Sequence, residues 1–97
     1  MKKDFDFVVE LSKPYVCDGT EYTELDLSGM MEMTGKDFRT VEMVVASRRQ
    51  NIVGAEQTIT GACAIAAQAT GLTIEFFEGL PMVDALAVRN KVLTFLA

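Results

Sequence analysis

An Asp-Gly pair at residues 18–19 divides the first third of this chain into two stretches in which apolar and polar residues alternate. A period of two is typical of a β-strand with one buried face. Asp-Gly between two such stretches is one of the strongest short signals for a tight hairpin turn. The pattern therefore predicts an N-terminal β-hairpin over about residues 5–28. Its apolar positions are Phe5, Phe7, Val9, Leu11, Tyr22, Leu25 and Leu27.

The register of this hairpin depends on the length of the turn. A two-residue turn would place Leu11 opposite an acid. A three-residue loop over residues 17–19, with Gly19 in the left-handed conformation, keeps one face apolar, and we favour it for that reason. Pro14 cannot donate to a strand ladder, so we expect it at an unpaired edge or bend. The predicted pairs are Leu11–Leu25, Val9–Leu27, Glu10–Asp26 and Ser12–Glu24.

The excess negative charge of the chain lies in this first third. The formal net charge is -5, and residues 1–37 contain nine acids and four bases, whereas the remaining residues contain five of each. Non-specific nucleic-acid binding requires a basic surface, so that class is excluded. Two interpretations of Glu10, Glu24 and Asp26 stay open. They form either a solvated outer face or a docking face for a basic partner segment.

The rest of the chain predicts about three helices. Thr34 followed by Asp37 is close to a capping box, Gly71 is a stop signal, and Pro81 suits a first helical turn. We expect helices over about residues 35–49, 55–70 and 81–95, with a short helical turn at 73–81. A two-stranded hairpin is marginal alone. The predicted fold is therefore a single α+β domain, residues 1–97, with an N-terminal β-hairpin packed on a C-terminal bundle of about three helices.

Helical periodicity also predicts which side chains are buried. The last helix should bury one row at helical spacing, with Asn90 at its boundary. Cys63 is predicted to be a small, buried, hydrophobic residue. The chain has no histidine that could activate it as a nucleophile. The predicted inward rows are Phe38, Val41, Val44 and Val45 in the first helix and Val83, Leu86, Asn90 and Leu93 in the last, with Val92 and Leu96 beside the second row.

Three methionines, Met30, Met31 and Met33, lie in the linker between hairpin and helices. Methionine fills gaps in cores and is also over-used at adaptable binding surfaces. Both interpretations stay open, and the three residues are candidates for partner binding together with Glu10, Glu24 and Asp26.

The sequence contains no recognisable motif for nucleotide binding, catalysis or metal binding. The segment GMMEMTGKD at 29–37 differs from a phosphate loop in its glycine spacing, and Asp37 follows Lys36 where a Ser or Thr should stand. Histidine is absent, and no metal-ligand cluster or pair of catalytic carboxylates is evident. We therefore predict no enzyme activity, no cofactor and no metal site. No apolar run reaches the length of about 20 residues that spans a bilayer, and no signal peptide is evident.

Five motifs follow one another along the chain: LSKPYVCDGTEYTELDL at 11–27, TGKDF at 34–38, ATGL at 69–72, EGLPMVDALAV at 78–88 and TFLA at 94–97. In this order they resemble the motifs of the small phage tail assembly chaperones, the Mu-like and P2-like tail assembly proteins. The similarity covers about residues 5–96. The chain departs from the pattern at GMMEM and in its alanine-rich middle helix.

This resemblance implies a chaperone for the tape measure protein, a long helical chain that it would keep in solution until the tail tube assembles. It also implies a phage- or prophage-encoded protein of the host bacterial cytoplasm, absent from the mature virion. From the acidic charge and the lack of a long apolar run, we expect no nucleic-acid and no membrane partner. A longer frameshifted form would contact the major tail tube protein. Helix-in-groove binding would suit such a client. The alternatives are a structural tail-completion or connector protein of the virion, or a small regulatory adaptor. An exposed hairpin edge would also allow copies to pair as a homo-oligomer.

Overall fold

The computed structural model describes residues 5–50 and 53–97. The first four residues and residues 51–52, part of the predicted break between helices, lie outside the described residues. The element order confirms the predicted α+β class, a hairpin followed by helices. The elements are β1 (Val8–Cys17), β2 (Thr20–Asp26), a 3-10 helix (Ser28–Glu32), α1 (Gly35–Ser47), a 3-10 turn (Ala55–Gln57), α2 (Ile59–Thr70), α3 (Ile74–Glu78) and α4 (Met82–Leu96).

The hairpin combines a tight turn with a bulge in β1. Asp18 and Gly19 have φ values of 53° and 80°, the positive values that a two-residue type I′ turn requires. The strands pair on both sides of residues 11–14 of β1, and opposite those four residues β2 has only Thr23. Strand β1 therefore contains three extra residues, and Pro14 lies among the unpaired ones, as its missing N–H predicts.

The predicted register is wrong, because the sequence analysis assumed a single register along the whole hairpin. The bulge allows the two-residue turn at one end to coexist with an apolar pair at the other. The predicted pairs Leu11–Leu25, Val9–Leu27, Glu10–Asp26 and Ser12–Glu24 are replaced by Val8–Asp26, Val9–Leu25, Glu10–Glu24, Tyr15–Tyr22, Val16–Glu21 and Cys17–Thr20.

Helix α2 lies at the centre of the molecule. Residues 60–66 are all buried, and the helix contacts α1, α3, α4, the 3-10 helix and the 3-10 turn. Its small side chains allow this close packing: a Cβ atom at Gly61 would overlap the carbonyl oxygen of Ala55. On the hairpin side, the core is completed by Phe7, Val9, Leu25 and Leu27.

Side-chain caps set the starts of two helices. The predicted capping box at α1 is present, and the Thr34 backbone N–H donates to Asp37 Oδ2 at 2.9 Å. Helix α2 begins at Ile59, later than the predicted start near residue 55. The reason is that Thr58 is its N-cap and accepts a hydrogen bond from the Gly61 N–H at 2.9 Å.

The predicted inward face of α4 is wrong. Val83, expected in the core, is 61% exposed, whereas Asp84 is 2% exposed. The buried row is Asp84, Val88 and Val92, with Leu86 and Leu93 half-buried beside it and Asn90 exposed. The helix is rotated relative to the prediction because the Asp84 carboxylate has hydrogen-bond partners in the hairpin, so it is buried in place of an aliphatic neighbour.

Candidate functional site

An apolar groove of about 470 Å³ lies where the 3-10 helix, the start of α1, the middle of α2 and the end of α4 meet. We refer to it as the methionine groove. It contains all three methionines singled out from the sequence. Its lining residues are Met30, Met31, Met33, Thr34, Gly35, Phe38, Ile65, Phe95 and Leu96.

The three methionines differ in exposure although they share the groove. Met30 is 3% exposed and belongs to the core, whereas Met31 is 52% exposed. Met33 is half-buried and packs against the core from the edge. The gap-filling interpretation therefore fits Met30, and the surface interpretation fits Met31. Whether these residues bind a partner stays a prediction.

Backbone hydrogen bonds position this wall of the groove. The Leu27 N–H donates to Phe7 O at 3.0 Å, the Met30 N–H to Leu27 O at 3.0 Å, and the Met33 N–H to Met30 O at 3.2 Å. Gly29 packs so closely on α2 that a Cβ atom there would overlap the carbonyl oxygen of Ala69. The 3-10 helix is thus packed directly against α2, with Met30 in the core and Met31 at the surface.

The side chains that line the groove are almost all apolar. Thr34 is the one lining residue with a polar side chain. Its hydroxyl is already within 3.4 Å of Asp37 Oδ2 in the capping box. A ligand in the groove would therefore meet apolar surface, mostly methionine and aromatic.

The hairpin acids lie outside this groove. Glu10 and Glu24 are directly opposite one another, and both are exposed. Asp26 is also exposed, and its Oδ1 accepts a hydrogen bond from the Ser28 N–H at 2.9 Å. Like charges at opposed positions are unfavourable for the hairpin. The structure thus places the predicted acidic residues on one outer face, and it does not bring them together with the methionines.

A pair of residues that the sequence analysis missed joins the hairpin to α4. The Ser12 N–H donates to Asp84 Oδ1 at 2.9 Å, and the Ser12 hydroxyl donates to Asp84 Oδ2 at 3.0 Å. Ser12 is in the bulge, where its N–H points away from β2. Two of the motifs noted above, LSKP and EGLPMVDALAV, therefore meet in space. The sequence signal that could have revealed this contact is an acid at a core-compatible position of the first turn of α4.

Aromatic contacts attach the rest of the hairpin to α3. The Tyr15 hydroxyl donates to Phe76 O at 3.1 Å. The rings of Tyr15 and Tyr22 meet the Phe76 ring edge to face, with centroids 5.2 and 4.8 Å away. Burial raises the pKa of Tyr15 above its ordinary value, and Cys17 adds to the rise. These contacts hold the hairpin against the helices near its turn.

Cys63 is chemically inert in this environment. Burial raises the pKa of its thiol to about 11; Glu78 adds to the rise and Arg48 opposes it. The thiol is thus protonated at neutral pH and is not an activated nucleophile. Arg48 and Glu78 form an ion pair joining the end of α1 to α3. Both side chains are about one-third exposed, so the pair adds little stability.

Residues 5–50 and 53–97 contain no group of three or more His, Cys, Asp or Glu side chains that could hold a metal ion. Within the same ranges, every helix falls short of the length and apolar character that a bilayer crossing requires.

Fold and groove together define a small α+β domain, a hairpin over helices, with an apolar groove at its surface. The chain belongs to the family of phage tail assembly chaperones: the family model described as "Phage tail assembly chaperone proteins, E, or 41 or 14" matches residues 8–97. This membership confirms the resemblance, implies protein partners in tail assembly and suggests a non-enzymatic role. Searches of curated proteins and of solved structures gave no match.

Proposed function

We propose that this protein binds the tape measure protein during tail assembly and keeps it in solution. The observation that supports this most directly is the methionine groove, an apolar surface on a member of a tail assembly chaperone family. A long helical client exposes apolar faces before the tube surrounds it. A shallow groove lined by methionine and aromatic side chains suits such faces, because methionine adapts its shape to different neighbours.

The acidic outer face of the hairpin would assist this binding at long range. Glu10, Glu24 and Asp26 are exposed, and opposing Glu10 and Glu24 costs the hairpin some stability. Acidic surfaces attract basic segments and accelerate encounter, more at low salt than at high salt. In this proposal, the face attracts basic stretches of the tape measure, and the groove then binds an apolar one.

The proposal places the protein in the cytoplasm of the host bacterium, where tails assemble, and not in the finished virion. A longer frameshifted form would link the loaded tape measure to the major tail tube protein. Mass spectrometry of purified particles tests the location: abundant copies in the virion would support a structural tail protein instead.

Co-expression with the tape measure encoded in the same phage or prophage tests the binding. We expect the tape measure to move from the pellet to the supernatant and to co-purify with this chain. A helical protein of similar length from an unrelated source is the control client. An insoluble tape measure, or one that does not co-purify, would contradict the proposal.

Charge removal tests the contribution of the hairpin face. We expect the variant Glu10→Gln/Glu24→Gln/Asp26→Asn to capture the tape measure several-fold more weakly at low salt, with the difference vanishing at about 0.5 M salt because of screening. The control is Glu42→Gln/Glu75→Gln, which removes two acids from the helical half, compared with the hairpin double variant Glu10→Gln/Glu24→Gln. Unchanged capture by the hairpin variant would remove electrostatic attraction from the proposal.

A further inference from the structure

The lining of the methionine groove restricts the conformation of a bound segment. No lining residue belongs to β1 or β2, so the groove offers no strand edge for a peptide to pair with. Its single polar side chain, Thr34, is already used in the capping box. An extended peptide would therefore bury backbone N–H and C=O groups without partners, at a cost of roughly 1–3 kcal/mol for each. A helix satisfies its own backbone groups and avoids that cost.

The charge of the groove wall restricts the partner further. The segment from Glu24 to Asp37, which contains the 3-10 helix, has four acids and one base. Glu32 follows the groove residue Met31 directly and is exposed. Its carboxylate makes no hydrogen bond or ion pair in the part of the chain that the structure describes. Asp37, by contrast, is held in the capping box.

We infer that the methionine groove binds the apolar row of an amphipathic α-helix from another polypeptide, with lysine or arginine on the flank that faces Glu32. This inference rests on the proposed function and specifies the kind of tape measure segment that is bound. The groove volume of about 470 Å³ is in the range of pockets that accept a few side chains, roughly 300–1,000 Å³. Side chains spaced three and four residues apart on one helix face therefore enter the groove, while the rest of the helix stays outside.

Synthetic peptides test the inference directly. The probe is a peptide of about 18 residues, or five helical turns, with leucines spaced three and four apart and lysines along one flank. The first control has two central prolines, which break the helix. The second control has glutamates in place of the lysines. We expect the probe to bind, the proline peptide not to bind, and the glutamate peptide to bind more weakly at low salt.

Methionine methyl NMR locates the contact, because the chain provides internal controls. Met31 and Met33 line the groove, whereas Met43 and Met82 are 68% and 78% exposed elsewhere. We expect the lysine peptide to shift the methyl signals of Met31 and Met33 and to leave those of Met43 and Met82 in place. Shifts confined to Met43 or Met82, or equal binding of the proline peptide, would overturn the inference.

Two substitutions with matched controls complete the test. Met31→Glu should weaken peptide binding by about tenfold or more, because a charge then faces the apolar row, whereas Met82→Glu should not affect it. Glu32→Gln should weaken binding of the lysine peptide by about twofold to fivefold at low salt. Equal binding by the Met31 and Met82 variants would contradict the groove assignment, and equal binding of the lysine and glutamate peptides would contradict the basic flank.

The outcomes separate this inference from the proposed function. If Met31→Glu captures the tape measure as well as the parent does, the groove assignment fails while tape measure binding stands. If the peptide binds in the groove but the tape measure is not captured in co-expression, the proposed client is wrong while the preference for a basic-flanked helix stands.

Discussion

The carboxylate of Asp84 is almost completely buried, and both of its oxygens accept hydrogen bonds from Ser12. Removing this side chain leaves the Ser12 N–H without its acceptor and opens a gap beside the hairpin. We expect Asp84→Ala to lower the free energy of unfolding by about 1.5–3 kcal/mol, the range for hydrogen bonds to charged groups. Urea denaturation followed by circular dichroism measures the change.

Two further variants make this prediction specific. Glu75→Ala removes an exposed acid from the first turn of α3 and should change stability by less than about 0.5 kcal/mol. Asp84→Asn keeps one acceptor oxygen, so its free energy of unfolding should lie between those of the parent and of Asp84→Ala. An Asp84→Ala protein as stable as the Glu75→Ala protein would show that the contact with Ser12 contributes nothing.

The two cysteines should differ sharply in reactivity. Burial raises the pKa of Cys63 to about 11, so at pH 8 only about one molecule in a thousand has the reactive thiolate. Cys17 is half-buried in the hairpin. We expect a thiol reagent at pH 8 to modify one cysteine in the folded protein and two in denaturant. Cys17→Ser should remove the rapid modification, and rapid labelling of Cys63 in this folded variant would contradict its burial.

The raised pKa of Cys63 also has a consequence for stability at alkaline pH. The unfolded chain releases this proton near pH 9, whereas the folded protein retains it until about pH 11. Between these values the folded state binds more protons, so the unfolding free energy falls as pH rises.

At the scale of elements, local signals located the cap of α1 and the Asp-Gly turn, whereas the length of that turn, the start of α2 and the strand pairing were predicted wrongly. The capping residues Thr34 and Asp37 and the turn residues Asp18 and Gly19 act on their own backbone neighbours, so one sequence reveals them. In the bulge at residues 11–14, Ser12 is hydrogen-bonded to Asp84, which is 72 residues away along the chain. No local pattern encodes that partner, and the predicted register failed there.

The candidate site could likewise be predicted only in part, because local sequence patterns do not reveal which distant residues meet. The run Met30, Met31 and Met33 is visible in the sequence as an adaptable cluster. The opposite wall of the groove, Phe95 and Leu96, comes from the other end of the chain. Which methionine faces outward depends on how the 3-10 helix packs on α2, because Gly29 lies against Ala69. The methionine cluster was thus visible in the sequence, whereas the other lining residues and the shape of the groove required the tertiary structure.

At Gly61 in α2, helix propensity and tertiary packing predict opposite effects of an alanine substitution on stability. Helix propensity alone predicts that Gly61→Ala stabilises the protein by about 1 kcal/mol. In the structure, the added Cβ atom would overlap the carbonyl oxygen of Ala55. We therefore expect the opposite sign, a loss of about 1–3 kcal/mol from overpacking, measured by urea denaturation. Gly35→Ala is the matched control, because it is also in a helix and nothing lies within 4 Å of its added Cβ. A more stable Gly61→Ala protein would show that the 3-10 turn can move away freely.

At the scale of the whole molecule, charge and apolar surface are separated. The net charge of -5 comes from the first 37 residues. Of their acids, Glu10, Glu24 and Asp26 lie on the outer face of the hairpin, and exposed Glu32 is next to the groove residue Met31. The helical half is neutral overall and supplies the core around α2. In the proposed function, the acidic half favours solubility and attraction of basic partners, while the groove provides the apolar contact.

We expect the 97 residues to unfold as one domain, because neither half is complete alone. A two-stranded hairpin is marginally stable in water, and here Val9 and Leu25 are buried against the helical half. Both tyrosines of the chain are in the hairpin, and no tryptophan is present. Tyrosine fluorescence therefore reports on the hairpin, while circular dichroism at 222 nm reports mainly on the helices. In urea, the two signals should give the same midpoint and the same free energy of unfolding, as a two-state transition requires. Asp84→Ala should lower both midpoints equally, since Ser12 and Asp84 join the two halves. If tyrosine fluorescence changes at lower urea than circular dichroism, in the parent or in this variant, the hairpin and the helices are separate folding units.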